Sequence, residues 1–138
     1  MAVKPLLQET IPQRSLIFAQ LAQIAYNDPA EAKKQAKKLG FTTVEFYDFD
    51  GAQAYRFQNQ HDLVIACRGT QPTEFNDIKA DLRAVPVMAE TRGRVHKGFK
   101  KEVDELWPMI LEDITRAVNQ DNTLWFCGHS LGGGMATI

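Results

Sequence analysis

Apolar positions change their period twice along the chain, and each change predicts a new kind of element. From Pro12, Leu16, Ile17, Leu21, Ile24 and Ala25 recur at helical spacing. Asp28-Pro29 predicts the cap and first residue of a second helix, and Gly40 its stop. Lys33, Lys34, Lys37 and Lys38 fall on that helix and read as a solvated face rather than a contact for acidic lipid. The period then shortens to two. Val44–Phe49, Gln53–Gln58 and Asp62–Cys67 read as strands, with a hairpin turn at Asp50-Gly51 and a second turn at Asn59-Gln60. Leu63–Cys67 shows no alternation, as expected of a strand buried on both faces, and Gly69 ends it.

Thr70 to Gly98 is predicted as loop, with one short amphipathic piece. There Phe75, Ile78 and Leu82 share a face opposite Glu74, Asp77 and Lys79. The helical period returns at Phe99 and runs through Val103, Leu106, Trp107, Ile110, Leu111, Ile114, Ala117 and Val118. Pro108 lies inside it and predicts a kink or break, because proline cannot donate the backbone hydrogen bond. Asn119–Asn122 reads as a turn and Leu124–Cys127 as another short buried strand. Gly128 starts a sharp turn into a helix.

Composition acts mainly by exclusion. The 138 residues are 44% hydrophobic and 24% charged, which fits one soluble globular domain. Sixteen basic against 17 acidic side chains leave no electrostatic reason to expect a nucleic-acid partner. Cys67 and Cys127 do not make a disulfide framework and read as small, reduced, buried side chains. The apolar stretch Ser15–Ala25 is interrupted by Gln20 and Gln23 and is too short to span a membrane. Glu9, Pro12 and Arg14 leave no apolar signal core after Lys4. The expected location is cytoplasmic, with export without a cleaved leader as the alternative.

The chemistry gathers at Gly128-His129-Ser130-Leu131-Gly132, a G-x-S-x-G between a buried strand and a helix start. Flanking residues without a Cβ let the backbone double back, which pushes the serine hydroxyl out at the edge of the sheet. A glycine-rich turn with an incidental serine is the plainer reading. A phosphate-cradling loop would need a Gly-Lys-Ser/Thr signature or G-x-G-x-x-G spacing, and neither is present. Acyl transfer also needs donors aimed at a developing oxyanion. The Leu131 N–H, next after the serine, is placed to be one. Thr70, in Arg68-Gly69-Thr70 at the end of the other buried strand, is placed to be the second.

Val64–Thr70, Ala80-Asp81-Leu82, Val85-Pro86-Val87, Val95–Phe99 and Gly128–Gly133 occur in order at sensible distances. Together, from about Val64 to Ala136, they resemble the class-three lipases, the fungal-lipase type of α/β-hydrolase. The resemblance implies an α/β fold: a mostly parallel sheet with flanking helices, truncated after the nucleophile elbow. It also implies Ser130 as nucleophile, Thr70 and Leu131 as oxyanion hole, and Gln71–Leu82 as a lid over the acyl site. Substrates would be acylglycerols or related esters at a lipid–water interface, with neither metal nor cofactor.

An activated serine needs a base and an orienting acid, which in this fold follow it in the chain. Residues 131–138 contain neither. His129 is expected to point away from the serine, His96 to pack and hydrogen-bond, and His61 to be solvated in a turn. Residues 1–138 therefore read as the N-terminal portion of a single domain, open to self-association through an exposed sheet edge. The competing reading is an inactive remnant or acyl-binding module.

Overall fold

The computed structural model describes residues 3–69, 86–89 and 93–138. Thr70 and the amphipathic piece at 71–82 lie outside them.

A helix start needs acceptors for its first amides, and both early helices carry them. Before α1 (Ile11–Ile24), the Thr10 hydroxyl accepts from the Gln13 N–H and the Gln13 side chain accepts from the Thr10 N–H, a capping box. Before α2 (Pro29–Lys38), one oxygen of Asp28 accepts from the Ala30 and Glu31 amides, each at 3.0 Å. Gly40, at φ +88°, turns the chain out of that helix.

The strands are β1 (Thr43–Phe49), β2 (Ala52–Gln58) and β3 (Asp62–Cys67), then β4 (Pro86–Met88), β5 (Arg94–His96) and β6 (Thr123–Gly128). Helix α3 (Lys97–Val118) precedes β6, and α4 (Leu131–Ala136) follows it. The main sheet runs β1–β2–β3–β6. Asp50 and Gly51 both have positive φ, 50° and 89°, as the expected two-residue turn requires. Such turns join only antiparallel strands, so β1, β2 and β3 alternate in direction. Parallel pairing is confined, among the described strands, to β3 with β6, where the crossover contains α3. The result is a mixed sheet with flanking helices.

Both faces of the sheet are covered, which explains the unbroken apolar run of β3. Val64 and Ala66 pack under α1 and α2 with Leu21, Ile24, Phe41, Tyr55 and Phe57. Leu63, Ile65 and Cys67 face α3 and α4, against Leu106, Ile110, Ile114 and Met135. One buried charge crosses to α3. Arg56 meets Asp113 at 2.6 Å, and Asp113 also accepts from the Tyr47 hydroxyl at 2.6 Å. Burial, and then that carboxylate, raise the Tyr47 phenol well above its ordinary pKa.

Three expectations need correction. Helix α3 does not break at Pro108 but runs through it. The proline lies on the exposed face, where the carbonyl it leaves unpaired can reach water. Strand β6 is only half-buried, with Phe126 43% exposed, because among the described strands it has a neighbour on one side only. The stretch expected as loop contains the β4–β5 hairpin, and α3 starts at Lys97 rather than Phe99. Strands of three residues are too short for a period to show.

Candidate active site

Parallel strands must end at the same edge of a sheet, and here β3 and β6 finish level, Cys67 opposite Gly128. Beyond them Arg68-Gly69 and His129-Ser130 therefore lie side by side. Ser130 has φ 56° and ψ −126°, a conformation that side chains with a Cβ rarely adopt. Holding it there costs about 1–3 kcal/mol. Its side chain is exposed and makes no hydrogen bond with any described residue.

The strain is enforced by backbone packed on backbone. A Cβ on Gly128 would overlap the Gly132 carbonyl. One on Gly132 would overlap the Cys67 carbonyl and lie 2.9 Å from the Gly69 nitrogen. One on Gly69 would lie 2.7 Å from the His129 oxygen and 2.6 Å from the Tyr26 hydroxyl. The turn then closes with Gly132 N–H to the His129 carbonyl at 3.0 Å, and Gly133 and Gly134 N–H to the Ser130 carbonyl at 3.0 and 3.2 Å. The Leu131 N–H, first in α4, has no acceptor among the described residues.

Of the expected site residues, Ser130 and Leu131 are thus adjacent at the edge of the sheet, while Thr70 falls outside the described residues. His129 turns to Tyr26: its Nδ1 lies 3.2 Å from the tyrosine oxygen, and its carbonyl accepts from that hydroxyl at 3.4 Å. Tyr26 was invisible in the sequence, because a residue just past a helix end carries no periodic signal. His96 caps α3, its Nδ1 accepting from the Gly98 N–H at 3.1 Å, and packs on Phe99. His61 is held by Gln60 at 2.8 Å in the turn before β3. Hence no histidine bonds to the Ser130 hydroxyl. Cys67 and Cys127 are both free and belong to opposite faces of the sheet, and burial pushes each thiol up to about 12.

A cavity of about 280 Å³ between α3 and β6, lined by Ile65, Leu106, Phe126 and Met135 among others, does not include Ser130. Among the described residues no three His, Cys, Asp or Glu side chains are grouped to hold a metal ion, and no helix is long and apolar enough to cross a membrane.

Residues 64–138, just over half of the chain, match the family model described as lipase (class 3). No curated protein matches the sequence. Among solved structures, the triacylglyceride lipase of Rhizomucor miehei superposes with a TM-score of 0.75 at 18% identity, covering 93% of this chain and 54% of that one. A triacylglycerol lipase whose catalytic centre is a serine-protease triad gives 0.71 at 18%, covering 93% and 54%. A lipase from Rhizopus microsporus var. chinensis gives 0.64 at 18%, covering 93% and 50%. The chain spans about half the length of these structures, and at such identity the likeness is one of fold.

Proposed function

This chain belongs to the class 3 lipase family, and from that premise we propose that Ser130 is the nucleophile of a carboxylic-ester hydrolase acting on acylglycerols or related esters. The observation that carries the reading is the strained, exposed Ser130 between glycines that admit no side chain. Strain of this kind persists where the surroundings over-determine it, and it presents the hydroxyl to an incoming substrate.

In the proposed cycle the Ser130 oxygen attacks the ester carbonyl carbon and its proton passes to a base. The carbonyl oxygen becomes an oxyanion, received by the Leu131 N–H and by Thr70. The tetrahedral species collapses as the alcohol leaves with that proton, and water then releases the acid from the acyl-serine by the same steps. The described contacts of His61, His96 and His129 involve other groups, and none of the three bonds to the Ser130 hydroxyl. A polypeptide of residues 1–138 alone should therefore turn over esters weakly or not at all. The family's substrates favour work at a lipid–water interface, with 71–82 as the lid. Among the described strands β6 is paired on one side only, and this and the exposure of Phe126 support self-association at that edge, which a concentration-independent mass in light scattering would exclude.

The test uses the protein as its gene encodes it. Ser130→Ala should lower hydrolysis of a short-chain nitrophenyl ester by about 10⁴-fold or more. Thr70→Val should lower kcat on the order of a hundredfold with KM little changed, because the hydroxyl matters only once the oxyanion develops. Undiminished turnover in Ser130→Ala would remove the serine from the chemistry. An unchanged rate in Thr70→Val would move the second donor elsewhere.

A further inference from the structure

We propose that Tyr26 is a positioning residue whose hydroxyl latches the loop after β3 to the elbow and holds the His129 imidazole as its Nδ1–H tautomer. The inference rests on the reading of Ser130 as nucleophile.

Three groups converge on the Tyr26 oxygen. His129 Nδ1 is 3.2 Å away, the His129 carbonyl oxygen is 3.4 Å away, and the Gly69 backbone presses so close that a Cβ there would lie 2.6 Å off. A phenol has one proton to give and two lone pairs to receive. A carbonyl oxygen can only accept, so the phenol proton belongs to the His129 carbonyl, and Nδ1 must bring a proton of its own. The opposite assignment, phenol donating to Nδ1, leaves two oxygens facing each other across 3.4 Å with no proton between them. Only the Nδ1–H tautomer satisfies both contacts. The Gly69 amide favours the same oxygen as an acceptor.

The phenol is itself well anchored. Burial raises its pKa, opposed by the Arg68 charge and the Gly69 amide, so it keeps its proton at neutral pH. The next residue, Asn27, is tied to the core through its carbonyl, which accepts at 2.8 Å from the fully buried Tyr55. The Tyr26 ring meets His129 edge-on, with centroids 6.0 Å apart and planes at 69°. One core-anchored hydroxyl thereby sets the spacing between Gly69, which precedes Thr70, and His129, which precedes Ser130. It also occupies Nδ1, which withdraws that nitrogen from proton transfer with the serine.

Tyr26→Phe removes the hydroxyl and keeps the ring, so loss of packing cannot imitate its effect. The experiment takes the protein as its gene encodes it, labelled with ¹⁵N-histidine, at a pH where the imidazoles are neutral. His129 is assigned from the signal lost in His129→Gln. In the wild type its Nδ1 should carry the proton and its Nε2 should show the shift of a bare ring nitrogen. In Tyr26→Phe the proton should move towards Nε2, the tautomer free imidazole prefers. In nitrophenyl-ester hydrolysis kcat should fall about tenfold, the effect of one lost hydrogen bond, with KM within about twofold. A wild-type His129 protonated on Nε2, or nitrogen shifts unmoved in Tyr26→Phe, would overturn the latch. Moved shifts with an unchanged kcat would overturn its positioning role. Turnover undiminished by Ser130→Ala would defeat the assignment of Ser130 instead, and the nitrogen shifts alone would then decide the latch.

Discussion

Strands β3 and β6 lie side by side for six residues, yet their two ends are built on opposite principles. At the end where they begin, Asp62 is fully buried and its carboxylate accepts from the Leu6 N–H at 3.0 Å and the Trp125 indole N–H at 2.8 Å. Beside it, the Asn59 side chain accepts from the His61 and Asp62 amides, and the Thr123 N–H donates to the His61 carbonyl. Buried polar groups there find partners, in a turn that ties the N-terminal segment to both strands. At the end where the strands finish, Ser130 is exposed, strained and, among the described residues, without a side-chain partner, and Gly128 and Gly132 beside it are closed in by backbone. One end holds the sheet together, and the other keeps Ser130 in a strained conformation. The difference teaches that an exposed residue can be kept in an unfavourable conformation when the far end of the same two strands is firmly bonded.

Three substitutions would break or sharpen this contrast, each read by urea unfolding. The largest effect is expected from Gly132→Ala, whose new Cβ would overlap the Cys67 carbonyl. Because backbone, not a flexible side chain, must move, the loss should be about 4 kcal/mol. A loss below about 1 kcal/mol would show that the two loops are not interlocked. Asp62→Ala comes next. It strands two donors, the buried Leu6 amide and the half-buried Trp125 indole, for an expected loss of about 3 kcal/mol with the elbow chemistry unaltered. Stability near wild type would mean that water replaces the carboxylate and that this end is no anchor. The smallest effect has the opposite sign. Ser130→Gly should abolish hydrolysis but raise stability by about 1 kcal/mol, because glycine adopts φ 56° without strain. A lower midpoint would show that the elbow is not strained in the way its dihedrals imply.

Much of this architecture was legible in the residues. Asp28-Pro29 and Asp50-Gly51 are local devices: each acts within four residues, so the chemistry that starts a helix or turns a hairpin is written where it operates. Unbroken apolar character in β3 announced a sheet covered on both faces, and the glycines around Ser130 announced a sharp turn after a strand. Where a feature depended on surroundings, the same reasoning failed. Pro108 stays inside α3 because its side of the helix faces water, and β6 is half-exposed because of the neighbours it has, neither of which its own residues state.

By itself the sequence determined the start of α2, the hairpin turn and the α/β class, because these follow from short-range sterics, capping and the period of apolar positions. Only the tertiary structure decided that Tyr26 meets His129, that Gly69 and Gly132 interlock, that Cys67 and Cys127 face opposite ways, and that Asp62 receives Leu6 and Trp125. The partners in the Tyr26–His129, Gly69–Gly132 and Asp62–Leu6 or –Trp125 contacts are separated by 56 to 103 residues. Nothing in the intervening chain encodes such a pairing until a closed sheet has set which strands are neighbours and which faces they share.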